Sequence, residues 1–170
     1  MSIYYMDESW FEIDKKTWRV IVKKWTKAKT RWVEMLHSWK NVFWYLRLDG
    51  KIIYTIRDRK KQEDLKHSLY RLQEEDKTKY KILILDNASI HKSKKIVEYC
   101  KKRNIYLVYL PAYSPEYNLI EKVWKMAKRI FRLIQWDKSK DINTKIRIAL
   151  TKLYWNYTWI LENNLLKSIL

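Results

Sequence analysis

Four consecutive aliphatic residues, Ile82-Leu83-Ile84-Leu85, end abruptly at a carboxylate, Asp86. A run of that length and composition predicts a strand buried on both faces of an open α/β sheet, and ligands bind such sheets where the strands stop. A second run, Ile105 to Leu110, follows after one helix-sized interval and is closed by Pro111. Two such strands joined through a helix predict a crossover unit with the strands parallel. Near the start, Ile3 to Ile13 alternates as a strand does, with Tyr5, Asp7, Ser9 and Phe11 on one face and Tyr4, Met6, Glu8 and Trp10 on the other. Asp7 is thus an acid inside an otherwise apolar strand.

Between these landmarks the pattern is readable in parts. Asn41 to Asp49, then Gly50, then Lys51 to Arg57 predicts a hairpin, because Asp-Gly flanked by apolar alternation is a strong turn signal. Residues 18–24 carry a β-branched cluster and predict a further extended segment, so the early strands form an antiparallel meander. A heptad of tryptophans, Trp18, Trp25, Trp32 and Trp39, offers a helix over the same region as the alternative. Leu65, Leu69 and Leu72 predict a helix over 60–78. Ser93 is a candidate N-cap for the next helix, with Ile96, Val97 and Cys100 inward. Ser114 and Pro115 suit the first turn of another, whose apolar stripe is Ile120, Val123, Trp124, Ala127, Phe131 and Ile134. Glu121 lies to one side of that stripe, where it can look into a cleft. The apolar spacing from Asp141 onward predicts one or two closing helices. No repeat or linker interrupts the chain, and 170 residues suit one domain.

Composition narrows the partner. Lys and Arg number 37 against 19 Asp and Glu, a net charge of +18, which in one small domain points to a polyanion. The single cysteine, Cys100, excludes an internal disulfide and a cysteine-based zinc site. No apolar run is long enough to span a membrane, and the first residues do not read as a signal peptide, so a cytoplasmic, nucleoid-associated location without membrane contact is expected.

Three stretches carry a resemblance. Asp7-Glu8-Ser9, Leu85-Asp86-Asn87-Ala88-Ser89-Ile90-His91, and Leu110 through Ser114-Pro115-Glu116-Tyr117-Asn118-Leu119-Ile120-Glu121 to Trp124 resemble the DDE catalytic domain of mariner-superfamily transposases, in the bacterial insertion-sequence branch. The 34 residues between Asp86 and Glu121 are the spacing of that branch. The resemblance implies a ribonuclease-H-like fold, a mixed five-stranded sheet flanked by helices. It also implies DNA cleavage and strand transfer, with Asp7, Asp86 and Glu121 as catalytic metal ligands. Three carboxylates in one cleft repel one another unless cations neutralise them, and hard oxygen donors suit two Mg²⁺ or Mn²⁺ ions. Glu8, Asn87 and His91 are candidates for supporting the site. Lys92, Lys94, Lys95 and Lys128 are candidates for tracking the DNA backbone. Action as a homodimer on paired ends is a further implication. A stand-alone nuclease of the same fold and an inactive nucleic-acid-binding relic are the competing readings.

The sequence departs from the family pattern in three ways. No helix-turn-helix module precedes Asp7, so recognition of element ends is expected to come from a separate DNA-binding chain. Leu119 and Ala112 replace prolines of the third motif. One glycine stands beside ten tryptophans, where average usage predicts roughly a dozen glycines. Trp25 and Trp44 fall where relatives carry glycine, while Trp18, Trp32 and Trp39 sit in turn-like contexts. Reassigned UGA codons that mean glycine are one explanation, and UGG at those positions in the gene would end it.

Overall fold

The structure, a computed structural model, describes residues 1–13, 38–111 and 117–162, with 155–162 as backbone. Five strands and four helices follow in the order β1 (Ser2–Ile13), β2 (Ser38–Arg47), β3 (Ile52–Arg57), α1 (Gln62–Glu75), β4 (Lys81–Leu85), α2 (Lys94–Lys101), β5 (Ile105–Tyr109), α3 (Ile120–Ile134) and α4 (Ile142–Glu162). They form one sheet in the order β3-β2-β1-β4-β5. The first three strands are the expected antiparallel meander. β4 and β5 are parallel to each other, and β4 is parallel to β1.

Alternation along β1 divides the core in two. Tyr4 and Met6 point to the α1/α2 face, where they pack with Phe43, Tyr45, Leu65, Leu69 and Leu83. Phe11 and Ile13 point to the α3/α4 face and meet Trp44, Val123, Phe131 and Ile146. The β4 run is covered less evenly than its composition predicts. Leu83 and Leu85 are buried, while Ile82 and Ile84 are only half-buried among the described residues.

Turn chemistry sets the hairpin between β2 and β3. Arg47 N–H donates to the Lys51 carbonyl at 2.8 Å, closing a loop of Leu48, Asp49 and Gly50. Gly50 has φ 91°, a left-handed value that a side chain would resist. Asn104 (φ 55°) makes the corresponding reversal between α2 and β5.

The helices follow the expected stripes with local corrections. Leu65, Leu69 and Leu72 are buried in α1. In α2 it is Tyr99, not Val97, that joins Ile96 and Cys100 inside; the two positions flank that pair symmetrically at 100° per residue, and the larger ring takes the covered side. Ser93 occupies the N-cap of α2, but its hydroxyl makes no cap hydrogen bond. In α3, Ile120, Val123, Ala127 and Phe131 are buried, whereas Trp124 is half-buried. Among the described residues one helix, α4, closes the fold. Its start is capped by the Asp141 carboxylate, which accepts the Thr144 N–H at 3.0 Å.

Trp39 and Trp44 lie within β2, so the turn-like reading of Trp39 is corrected. Trp44 is fully buried and stacks on Phe11, ring centroids 6.2 Å apart. The extended segment at 18–24, Trp18, Trp25 and Trp32 of the tryptophan heptad, and Ser114 with Pro115 lie outside the described residues.

Candidate active site

The site forms where β1 and β4 part. Their parallel ladder keeps one offset, Ser2 opposite Lys81 through Tyr5 opposite Ile84. Continued by two residues, that offset sets Asp7 level with Asp86, near enough for the two charges to repel. The β4 strand ends at Leu85, so Asp86 begins the loop and is largely exposed. The loop is tied down on its other side. Leu110 N–H donates to the Leu85 carbonyl at 2.8 Å, and the Asn87 side-chain amide donates to the Leu110 carbonyl. Asn87 therefore fixes the loop to the end of β5.

Asp7 and Glu8 are adjacent in sequence and point to opposite faces of the sheet. On the α3 face, the Asp7 carboxylate accepts the Trp124 indole N–H at 2.9 Å and the Glu8 backbone N–H at 2.8 Å. Burial pushes its pKa up to about 6, the two donors pull it down, and the nearby Glu8 and Asp86 charges add to the rise. On the α1/α2 face, the Glu8 carboxylate is buried, pairs with Lys60 at 3.1 Å, and meets His91 Nε2 at 2.8 Å. The other ring nitrogen, Nδ1, lies 2.9 Å from Asp86 Oδ1. His91 is 1 % exposed and thus bridges two carboxylates from two strand ends. Burial alone would lower its pKa, but the hydrogen bonds to Asp86 and Glu8 prevail and carry it up to about 9. The His91 hydrogen bond in turn holds Asp86 below the usual carboxylate range.

Glu121 sits in the first turn of α3, one turn before Trp124, and its carboxylate faces Lys125 at 3.6 Å. Lys128 lies within reach of the charges of both Asp7 and Glu121, and burial lowers its pKa. The structure brings Asp7 and Asp86 together and turns Glu121 toward its own helix. No group of three acidic, histidine or cysteine side chains among the described residues is close enough to hold one metal ion. Each of the three carboxylates instead has a neighbour of the protein's own, Trp124 for Asp7, His91 for Asp86 and Lys125 for Glu121.

Asp7 and Asp86 nevertheless fit a hard divalent cation. Both offer oxygen donors, and the raised pKa of Asp7 marks a half-buried carboxylate that two N–H donors and the Lys128 charge compensate only in part. The remaining candidates spread outward. Lys92 covers the Tyr109 ring at 5.4 Å, Lys94 is exposed, and Lys95 lines a groove between α1 and α2. Sequence reasoning placed Trp124 in the core stripe and missed its bond to Asp7. Lys60 was missed altogether, and only its position before a helix at the site end of the sheet could have signalled it.

A family model described as "DDE superfamily endonuclease" matches residues 2–143. Among curated proteins none matches. Solved structures supply the fold. One chain of the simian T-cell lymphotropic virus intasome in complex with PP2A regulatory subunit B56 gamma superposes with a TM-score of 0.65 at 14% identity, over 87% of this chain and 46% of that one. This chain thus spans about half the length of its intasome counterpart. The HTLV-2 integrase catalytic core domain in complex with magnesium, in its dimeric form, superposes with a TM-score of 0.59 at 11% identity, over 87% and 81%. The mixed five-stranded sheet flanked by helices is therefore the ribonuclease-H-like fold of integrase catalytic cores.

Proposed function

From the premise that the chain belongs to the DDE superfamily endonuclease family, we propose that it cleaves and joins DNA as a transposase catalytic domain of the mariner type. The observation that carries this reading is the common offset of β1 and β4, which sets Asp7 beside Asp86 where the strands diverge. Asp7, Asp86 and Glu121 are the proposed catalytic residues and metal ligands. A pair of Mg²⁺ or Mn²⁺ ions held there would polarise the attacked phosphate and stabilise the attacking and leaving oxygens. The reading requires Glu121 to turn from Lys125 toward Asp7, a change of rotamer at a half-buried position one helical turn from Trp124.

The chain's own residues prepare the site. Trp124 fixes one Asp7 oxygen and thereby the direction of the other. His91, itself oriented by Glu8 and Lys60, does the same for Asp86. Outer hydrogen bonds of this kind orient metal-binding groups and tune their basicity. The net charge of +18 supplies attraction to the phosphate backbone, with Lys92, Lys94, Lys95 and Lys128 proposed to track it. The proposed setting is nucleoid DNA in the cytoplasm, with a second copy of the chain engaged on the paired end. Among the described residues no helix is long and apolar enough to cross a membrane.

The test is a nicking and joining assay on labelled DNA with Mg²⁺, run beside Asp86→Asn. Joined products from a pre-cleaved end support transposition. Cleavage without joining supports a stand-alone nuclease instead, and no Mg²⁺-dependent product of either kind overturns both.

A further inference from the structure

Beyond Tyr5, β1 continues without β4 beside it, and α3 runs along its open side. A groove of about 310 Å³ lies between them, lined by Trp10, Phe11 and the single carboxylate Glu12 of β1 and by Lys128, Arg132 and Trp136 in and just after α3. Its floor is firm. Phe11 and Phe131 are buried edge to face, with centroids 5.1 Å apart. Its wall is aromatic and cationic, since Trp10 is 56 % exposed and the Lys128 ammonium stands 5.3 Å from its ring centroid. The same ammonium stands 4.4 Å from the ring of Trp124, the residue that hydrogen-bonds Asp7. The groove therefore opens directly beside the proposed reacting centre.

An exposed indole flanked by cations suits a ligand that has both a flat π face and a negative charge. A nucleotide has both, but a base in a duplex is already stacked on its neighbours and cannot offer a face. We propose that the Trp10–Lys128–Arg132 groove binds an unpaired nucleobase together with its adjoining phosphate, on the DNA strand that passes Asp7. The base stacks on Trp10, and the phosphate lies toward Lys128 and Arg132. The inference rests on the DNA reading above and adds to it a substrate feature, an unpaired base next to the site of cleavage.

The experiment is fluorescence anisotropy of the intact chain in EDTA, where binding is read without cleavage. Three labelled probes share one duplex: blunt, with a short single-stranded extension, and with the same extension made abasic. The extended probe is expected to bind about 5-fold or more tightly than the other two. Trp10→Ala is expected to erase that preference and leave blunt-duplex affinity unchanged, and Trp10→Phe to keep most of it. Equal binding of the extended and abasic probes by the wild type overturns the proposal, as does a preference that survives Trp10→Ala. If none of the three probes binds, the DNA reading fails and the groove's assignment goes with it.

Discussion

Asp7 and Asp86 stand on neighbouring strands of one sheet, yet their surroundings oppose each other. Asp86 is largely exposed and lies at the end of a chain, Lys60–Glu8–His91–Asp86, whose two middle members are buried and which keeps it ionised. Asp7 is half-buried against α3 with two N–H donors and, within range of its charge, the Lys128 ammonium, and burial raises its pKa to about 6. One carboxylate is paired directly by the protein; the other meets a cation only at longer range. The contrast teaches that the Asp7 side is where a divalent ion would relieve most, and that the His91 side is already balanced without one.

The comparison can be broken at several strengths. The largest effect is expected from Asp86→Asn or Asp7→Asn on Mg²⁺-dependent nicking. Each should fall well beyond the roughly 10²-fold that loss of an outer partner costs a metal site. Wild-type rates from either variant would remove the contrast's functional meaning. Next is the wall behind Asp7. Trp44 is its cross-strand partner, and Trp44→Gly should cost roughly 3–5 kcal/mol in denaturant unfolding. Unchanged stability would instead favour glycine as the residue the fold was built around.

Asp7→Asn should act oppositely on stability and on activity. Its folded pKa, about 6, lies above the ordinary 3.8, so its neutral form is favoured by the fold. The stability it contributes is full below pH 3.8 and lost as pH rises through 6. Asparagine stays neutral and keeps an acceptor for Trp124, so at neutral pH in EDTA the variant should gain up to roughly 3 kcal/mol. A less stable variant would show that Asp7 is not a burdened anion. An effect of similar size is expected on the other side. With a folded pKa of about 9 against an ordinary 6.5, His91 contributes stability that is full below pH 6.5 and lost as pH rises through 9. The wild type should therefore weaken by up to roughly 3 kcal/mol more than His91→Gln over that interval.

Much of the fold was legible because its signals are local. The Asp-Gly turn, the leucine stripe of α1 and the aliphatic runs of β4 and β5 each depend on a few neighbouring residues. Site legibility was uneven for the same reason. Asp7 and Asp86 announced themselves as acids interrupting apolar strands. The Trp124–Asp7 bond joins residues 117 apart, and the Glu8–His91 bond residues 83 apart, so no periodicity could show either. Val97 was misassigned where a short helix tolerates one apolar residue outside, and the half-covered β4 escaped because aliphatic composition does not reveal how much of a face its neighbours reach.

Cys100 has a practical consequence. Its thiol is the sole one in the chain, sits at 1 % exposure in the α1/α2 core, and is pushed up to about 12 by burial. Alkylation must wait for that layer to come apart, so the rate of modification by an ordinary thiol reagent would serve as a built-in clock for opening. Read with and without Mg²⁺, that clock would register whether the ion tightens the whole sheet or only its far face, with no label to introduce and no residue to change.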